Sequence, residues 1–349
     1  MQNVLGRTAS LAVAASAVLA SADAFANELP GYDRLAISAP HRAALVQGSV
    51  WYPLGTMTYR SRVGDSAIFK GAPVAMGAGI KPGRHSLIVL SHGSGGNMDG
   101  LAWLASKLVA EGFMVLAVNH PGSTSGDSSP RRSIKVWERA RDLSTALEAL
   151  LADPAFAMHV DRERIAAMGF SLGGLSVLQL AGLVPDKQAF VDYCARMKGA
   201  RDCVFLAKGG VRPEAIDASG FERPAQDGSI SAVVAVDPAM GYAFKPQSFT
   251  AVDLPVRIIN LGKGADLWPE VDAGPTGSDL ARKLPSGSLS YVAPADHYAF
   301  LGECREGARQ LLDREGGDPI CENAPGSVRS VVHRDVAKQV VAFLRQALK

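Results

Sequence analysis

Gly169-Phe170-Ser171-Leu172-Gly173, followed at once by Gly174, is the stretch on which the fold turns. It lies between Ile165-Ala166-Ala167-Met168, an apolar run suited to a buried strand, and Leu175-Ser176-Val177-Leu178-Gln179-Leu180-Ala181, a helix-like segment. Strand, tight turn and helix with a serine at the tip is an arrangement that presents a hydroxyl at the carboxyl end of a parallel sheet. The glycines have a steric task, because a side chain at 169 or 173 would collide with the neighbouring strand or helix. Such a five-residue pattern arises about 0.3 times by chance in a chain of this composition, so its flanks carry the argument.

Working outward, Ser86 to Leu90 is a short continuous apolar run, as expected of a strand covered on both faces. Residues 98 to 111 read as a helix, with Leu101, Leu104, Ala105, Leu108 and Val109 at three- and four-residue spacing and Gly112 as the stop. Phe113 to Val118 is the next buried strand and Val136 to Leu151 a second amphipathic helix. Beyond the turn, strands are expected at Ile230 to Val236, Val256 to Leu261 and Ser288 to Val292, with a terminal helix from Arg329 to Leu348. An early strand falls at Ala44 to Tyr52, and residues 61 to 84 read as a hairpin and a loop. Strands alternating with helices imply an α/β fold with a mostly parallel sheet covered on both faces. Residues 185 to 226 break that rhythm; they are polar and irregular, and fall where a cap would be inserted.

A serine nucleophile needs a base, and the base an orienting acid. Two histidines follow Ser171: His297, in a loop just after the last strand, and His333, inside the terminal helix beside charged residues. His297 is the expected base, and His333 reads as a solvated surface residue. For the acid, Asp266 follows the Val256 to Leu261 strand and is the first choice; Asp237, directly at the end of the preceding strand, is the alternative. Asp296, next to the histidine, reads as a loop residue. An oxyanion needs two preorganised N–H donors. One is expected from Leu172, the other from Ser94 in Ser91-His92-Gly93-Ser94-Gly95-Gly96, the glycine-rich loop after the first central strand. The lysine and hydroxyl residue of a phosphate-cradling loop are missing from this stretch.

The N-terminus reads as an export signal: Arg7, an apolar run from Ser10 to Ala20, and a cleavage site at Ala24-Phe25-Ala26, so residues 1–26 are expected to be removed. The apolar run is shorter than the roughly 20 residues of a membrane span, so no stable membrane insertion is expected. Cys194, Cys203, Cys304 and Cys321 fit an oxidising compartment, periplasmic or extracellular. Four cysteines allow three pairings; Cys194–Cys203 and Cys304–Cys321 would close short loops, and the spacings match no zinc pattern. A net charge of +2 is too small to point to nucleic acid or an anionic membrane as partner. With 47% hydrophobic and 20% charged residues, residues 27–349 suit a single globular domain.

Taken together, SHGSGG, GFSLGG and ADHYAFL with two late cysteine pairs resemble the exported α/β-hydrolases called predicted dienelactone hydrolases. These are similar in turn to platelet-activating-factor acetylhydrolases and bacterial polyester hydrolases. The resemblance runs from Val50-Trp51-Tyr52-Pro53 to the terminal helix. It implies an eight-stranded sheet and a serine carboxylesterase chemistry. The Ser–His–Asp mechanism read from the residues requires no metal or organic cofactor, and the expected partner is a small-molecule or lipid-like ester substrate. Dienelactone hydrolases proper use a cysteine where this chain has Ser171. The acetylhydrolase relatives carry their acid where Asp237 stands and the polyesterases where Asp266 stands, so the resemblance supports either.

Overall fold

The structure is a computed structural model, and it describes residues 29–349. The export-signal reading of residues 1–26 lies outside the described residues. Ten strands form one sheet: β1 (Gly31–Ile37), β2 (Val46–Tyr52), β3 (Tyr59–Val63), β4 (Ala72–Met76), β5 (His85–Ser91), β6 (Met114–Val118), β7 (Val160–Phe170), β8 (Ala232–Val236), β9 (Val256–Leu261) and β10 (Gly287–Val292). Their spatial order is β10-β9-β8-β7-β5-β6-β2-β1-β4-β3. The six strands from β10 to β6 run parallel, and β2 joins β6 antiparallel. Ten strands exceed the eight implied by family resemblance. The addition is at one edge, where residues 59–76 form the antiparallel pair β3–β4 and β4 lies parallel to β1.

Alternation along the buried strands divides the core in two. Leu87 and Val89 of β5 face one cluster with helices α2 (Val136–Ala152) and α3 (Leu172–Leu180); Ile88 and Leu90 face the other, with α1 (Ala102–Ala110) and α6 (Arg329–Ala347). Each fully buried Leu, Val or Ile contributes roughly 1.5–3 kcal/mol, so continuous apolar runs are favoured where both faces are covered. His333 departs from its sequence reading. It lies 3% exposed, with its ring stacked on Trp103 at 3.7 Å and Nε2–H donating to the Leu301 carbonyl at 2.9 Å. Residues 185–226 are helical, not irregular: α4 (Lys187–Arg196) and α5 (Arg201–Lys208) are followed by short turns. Asp186 caps α4 by accepting from the Ala189 N–H at 3.0 Å. Disulfides join Cys194 to Cys203, between these two helices, and Cys304 to Cys321.

The chain runs from β5 through α1 to β6 on one side, then crosses back to β7 on the other. That reversal opens a crevice at the carboxyl ends of β5 and β7. The register pairs Ser91 with Gly169 and Phe170 with Val236, which brings the ends of β5, β7 and β8 side by side.

Candidate active site

Ser171 follows β7 directly and adopts φ 54°, ψ −118°, a conformation that costs a non-glycine residue about 1–3 kcal/mol. Backbone bonds hold it there: its N–H donates to the Val236 carbonyl at 2.9 Å, and its carbonyl accepts from Ala239 at 3.0 Å. A Cβ at 169 would lie 2.0 Å from the Gly173 oxygen, and one at 173 would lie 2.2 Å from the Ser91 oxygen. Glycine is therefore required at both positions for steric reasons alone.

His297 opens a 3-10 turn after β10, capped by Asp296, whose carboxylate accepts from the Ala299 N–H at 2.9 Å. The imidazole is 6% exposed and lies between aromatic neighbours, with Phe170 and Trp268 each 4.5 Å from its ring centre. Its Nδ1–H donates to Oδ2 of Asp237 at 2.9 Å. Asp237 is fully buried at the end of β8 with φ 43°. Its Oδ1 accepts from the Leu261 N–H and from Asn260 Nδ2, both at 2.9 Å. Asn260 is fixed in turn by the Val271 carbonyl at 2.8 Å and the Ala273 N–H at 3.0 Å.

Asp266, the first sequence choice, is elsewhere in this arrangement. It ends the 3-10 turn Gly264–Asp266, and its carboxylate has no hydrogen bond or ion pair among the described residues. The difference has a physical cause. Gly262, with φ 93°, turns the chain out of β9 before Asp266 is reached, whereas the left-handed backbone at Asp237 turns its carboxylate toward the end of β9. Asn260 is the companion that sequence reasoning missed, although a lone amide within the apolar run VRIINL was a signal for it.

The loop after β5 lies against the serine: a Cβ on Gly93 would sit 3.1 Å from Cβ of Ser171. The N–H groups of Ser94 and Leu172 have no acceptor among the described residues, and both residues line the same cleft as Ser171 and His297. That cleft has a volume of about 1080 Å³. Helix α5 supplies part of its wall through Arg201, Asp202 and Val204, and Arg201 stacks over Trp268 at 3.6 Å while pairing with Glu270 at 2.7 Å. Burial pushes the Asp202 carboxyl up to about 6, even though it accepts the Tyr193 hydroxyl at 2.9 Å.

Beneath the loop lies a hydrogen-bonded Ser–His–Asp row that is closed to solvent. His120 receives the Ser91 hydroxyl on Nε2 at 2.9 Å and donates Nδ1–H to Asp142 at 2.9 Å. All three residues are fully buried. Burial, reinforced by the Arg139 charge, pulls His120 down to about 3, so it is a neutral imidazole and its contact with Asp142 is a hydrogen bond and not an ion pair. Burial opposes ionisation of Asp142, but hydrogen bonds from His120, His41 and Arg42 hold it well below the usual carboxylate range. Without access to the cleft this row cannot take a substrate.

A serine on a strained strand-to-helix turn at the sheet's reversal point, in one cleft with a histidine paired to a buried carboxylate, is the architecture of the α/β-hydrolases. The sequence model of the Alpha/beta hydrolase family matches residues 88–339, and this chain belongs to that family. Among individual proteins it is similar to the cutinase est2 of Thermobifida alba, 32% identical over 109 residues, which are 31% of this chain and 33% of that protein. It is also similar to a bis(hydroxyethyl) terephthalate hydrolase of Streptomyces coelicolor, 25% identical over 123 residues, 35% of this chain and 37% of the relative. The matched stretch thus spans about a third of these relatives. A ferulic acid esterase from Streptomyces cinnamoneus shares the fold at a TM-score of 0.60 and 18% identity, covering 92% of this chain and 89% of that one.

Proposed function

We propose that this protein hydrolyses carboxylic esters through an acyl-enzyme, with Ser171 as nucleophile, His297 as general base and acid, and Asp237 as the orienting carboxylate. The observation that carries the reading is the 2.9 Å hydrogen bond from His297 Nδ1 to buried Asp237, in the cleft that also exposes Ser171 on its strained turn. That bond keeps the proton on Nδ1 and leaves Nε2 free to accept. As Ser171 Oγ bonds to the ester carbon, its proton passes to Nε2, and the carbonyl oxygen becomes an oxyanion held by the Ser94 and Leu172 amides. Collapse breaks the bond to the alkoxy oxygen, which leaves as alcohol with the proton from Nε2. Water then attacks the acyl carbon, gives its proton to Nε2, and the acid leaves as Ser171 regains its proton.

Trp268, Tyr298 and Phe170 give the cleft an apolar, aromatic lining near His297, suited to a bulky or aromatic acyl group. Two of the similar proteins are named for esters of aromatic acids, terephthalic and ferulic, which agrees with that lining. We infer export as well, on the signal-like sequence of residues 1–26 and the two disulfides. The test is steady-state turnover of p-nitrophenyl acetate, butyrate and benzoate against the matched anilides, with Ser171→Ala as control. Ester turnover that is lost in the variant is expected. Faster cleavage of the anilides would replace the ester reading with an amidase one, and full activity in Ser171→Ala would overturn both.

A further inference from the structure

The oxyanion site is built from two pieces of chain far apart in sequence, the loop after β5 and the first turn of α3. One side chain bonds to the framework of both. Arg139 of α2 is 2% exposed, and among the described residues no carboxylate is hydrogen-bonded to its guanidinium. Its Nη2 donates to the His92 carbonyl, directly before Gly93 and Ser94, and to the Ser91 hydroxyl at 3.3 Å. Its Nε donates at 3.0 Å to Ser176 Oγ, whose own proton goes at 3.0 Å to the Leu172 carbonyl. Its Nη1 donates to Ser123 Oγ, and the Ser123 carbonyl accepts the Gly95 N–H at 2.9 Å. The loop is braced from its other side by neutral His92, whose Nδ1–H donates to the Gly93 carbonyl at 2.7 Å. Burial pulls the guanidinium down to about 9, which still leaves it charged at neutral pH. Asp142, one turn on in α2, offsets part of that cost by its charge without a hydrogen bond to the guanidinium, so the oxygens of His92, Ser91, Ser123 and Ser176 fix where the fork points.

We propose that Arg139 is a positioning residue that sets the Ser94 and Leu172 amides at the spacing an oxyanion requires. The inference rests on the ester-hydrolase reading. Lysine at 139 preserves the charge but not the planar fork, so it cannot reach the His92 carbonyl and Ser176 together. The two amides would remain present but misplaced. A displacement of about 1 Å at such a site costs on the order of 10²-fold in rate.

The experiment compares wild type, Arg139→Lys and Ser176→Ala for kcat, KM and the affinity of a trifluoromethyl ketone, whose adduct with Ser171 carries the oxyanion. Arg139→Lys should lose about 10²-fold in kcat with KM within about threefold, and lose ketone affinity in parallel. Ser176→Ala should lose about tenfold in both, the equivalent of one hydrogen bond to a charged group. A folded Arg139→Lys with wild-type kcat, or with lower kcat and unchanged ketone affinity, would overturn the proposal. If Arg139→Lys shows no cooperative melt, Ser176→Ala decides on the same two readouts. A wild type that neither hydrolyses esters nor binds the ketone would instead refute the parent reading, and this inference with it.

Discussion

Replacing Asp237 with asparagine tests the triad assignment most sharply, because the neighbours of the side chain dictate how the amide must sit. Oδ1 of Asp237 accepts from two donors that cannot reverse, the Leu261 N–H and the Nδ2 of Asn260, whose own oxygen is engaged by the Ala273 N–H. An asparagine therefore keeps its carbonyl toward them and turns its NH2 to His297; the opposite flip would set one donor group against two others. Facing an NH2, His297 must accept on Nδ1 and carry its proton on Nε2, the atom that has to receive the serine proton. The fold is undisturbed while the base is in the wrong tautomer. The corresponding substitution in a serine protease lowers kcat about 10⁴-fold, and a loss of that order is expected here. Asp266→Asn, which removes no hydrogen bond among the described residues, should stay within about twofold of wild type. The assay is p-nitrophenyl butyrate turnover, with thermal melts to establish that both variants fold. Loss of activity in Asp266→Asn with retention in Asp237→Asn would refute the reasoning.

Three further outcomes are expected. Gly173→Ala places a Cβ 2.2 Å from the Ser91 oxygen and should destabilise by about 1–3 kcal/mol in urea unfolding, while Gly228→Ala, whose Cβ meets nothing within 4 Å, should be neutral. The Cys194–Cys203 bond spans a sequence separation of 9, for which loop-closure entropy gives about 2.7 kcal/mol, so the double serine variant should unfold at lower urea. Because Arg201 lies two residues from Cys203 and stacks on Trp268, that variant should also shift preference along an acyl-length series; unchanged preference would argue that the clasp is remote from substrate. Finally, burial lowers His333 to about 4, below its value near 6.5 in the unfolded chain. The unfolded state therefore binds the proton first, so the stability is present above pH 6.5 and is lost as pH falls toward 4, at about 1.4 kcal/mol per unit. His333→Gln should flatten a stability–pH profile in that window by one proton; an unchanged slope would show that His333 does not titrate as its burial implies.

The parts of this molecule legible in its sequence are those that local chemistry specifies. The β5, β6 and β7 strands announce themselves as apolar runs because both faces are covered, and the Ser171 turn shows in its glycines because a Cβ at either has nowhere to go. The position of His297 beyond a strand end was legible, and the structure places it there. The carboxylate that pairs with it was not legible, because Asp237 and Asp266 both follow strands, and what separates them is a contact across strands: the β8 carboxylate receives the Leu261 N–H at the end of β9. His333 was misread from its charged neighbours Arg334 and Asp335, although it shares a helix face with buried Val336, Ala337 and Val340, three, four and seven residues on. Arg139 and Asp142 escaped for a related reason. Charges spaced i, i+3 on a helix ordinarily mark a solvated face, yet these interleave with Val136, Ala140 and Leu143 on the face that α2 turns to the core. A charge on the apolar side of an amphipathic helix must find several partners or be excluded. Here the partners are a strand end, a loop and a helix turn that meet only once the sheet has reversed direction. The residues that prepare this site are thus hidden in sequence by the same long-range topology that creates the crevice they serve.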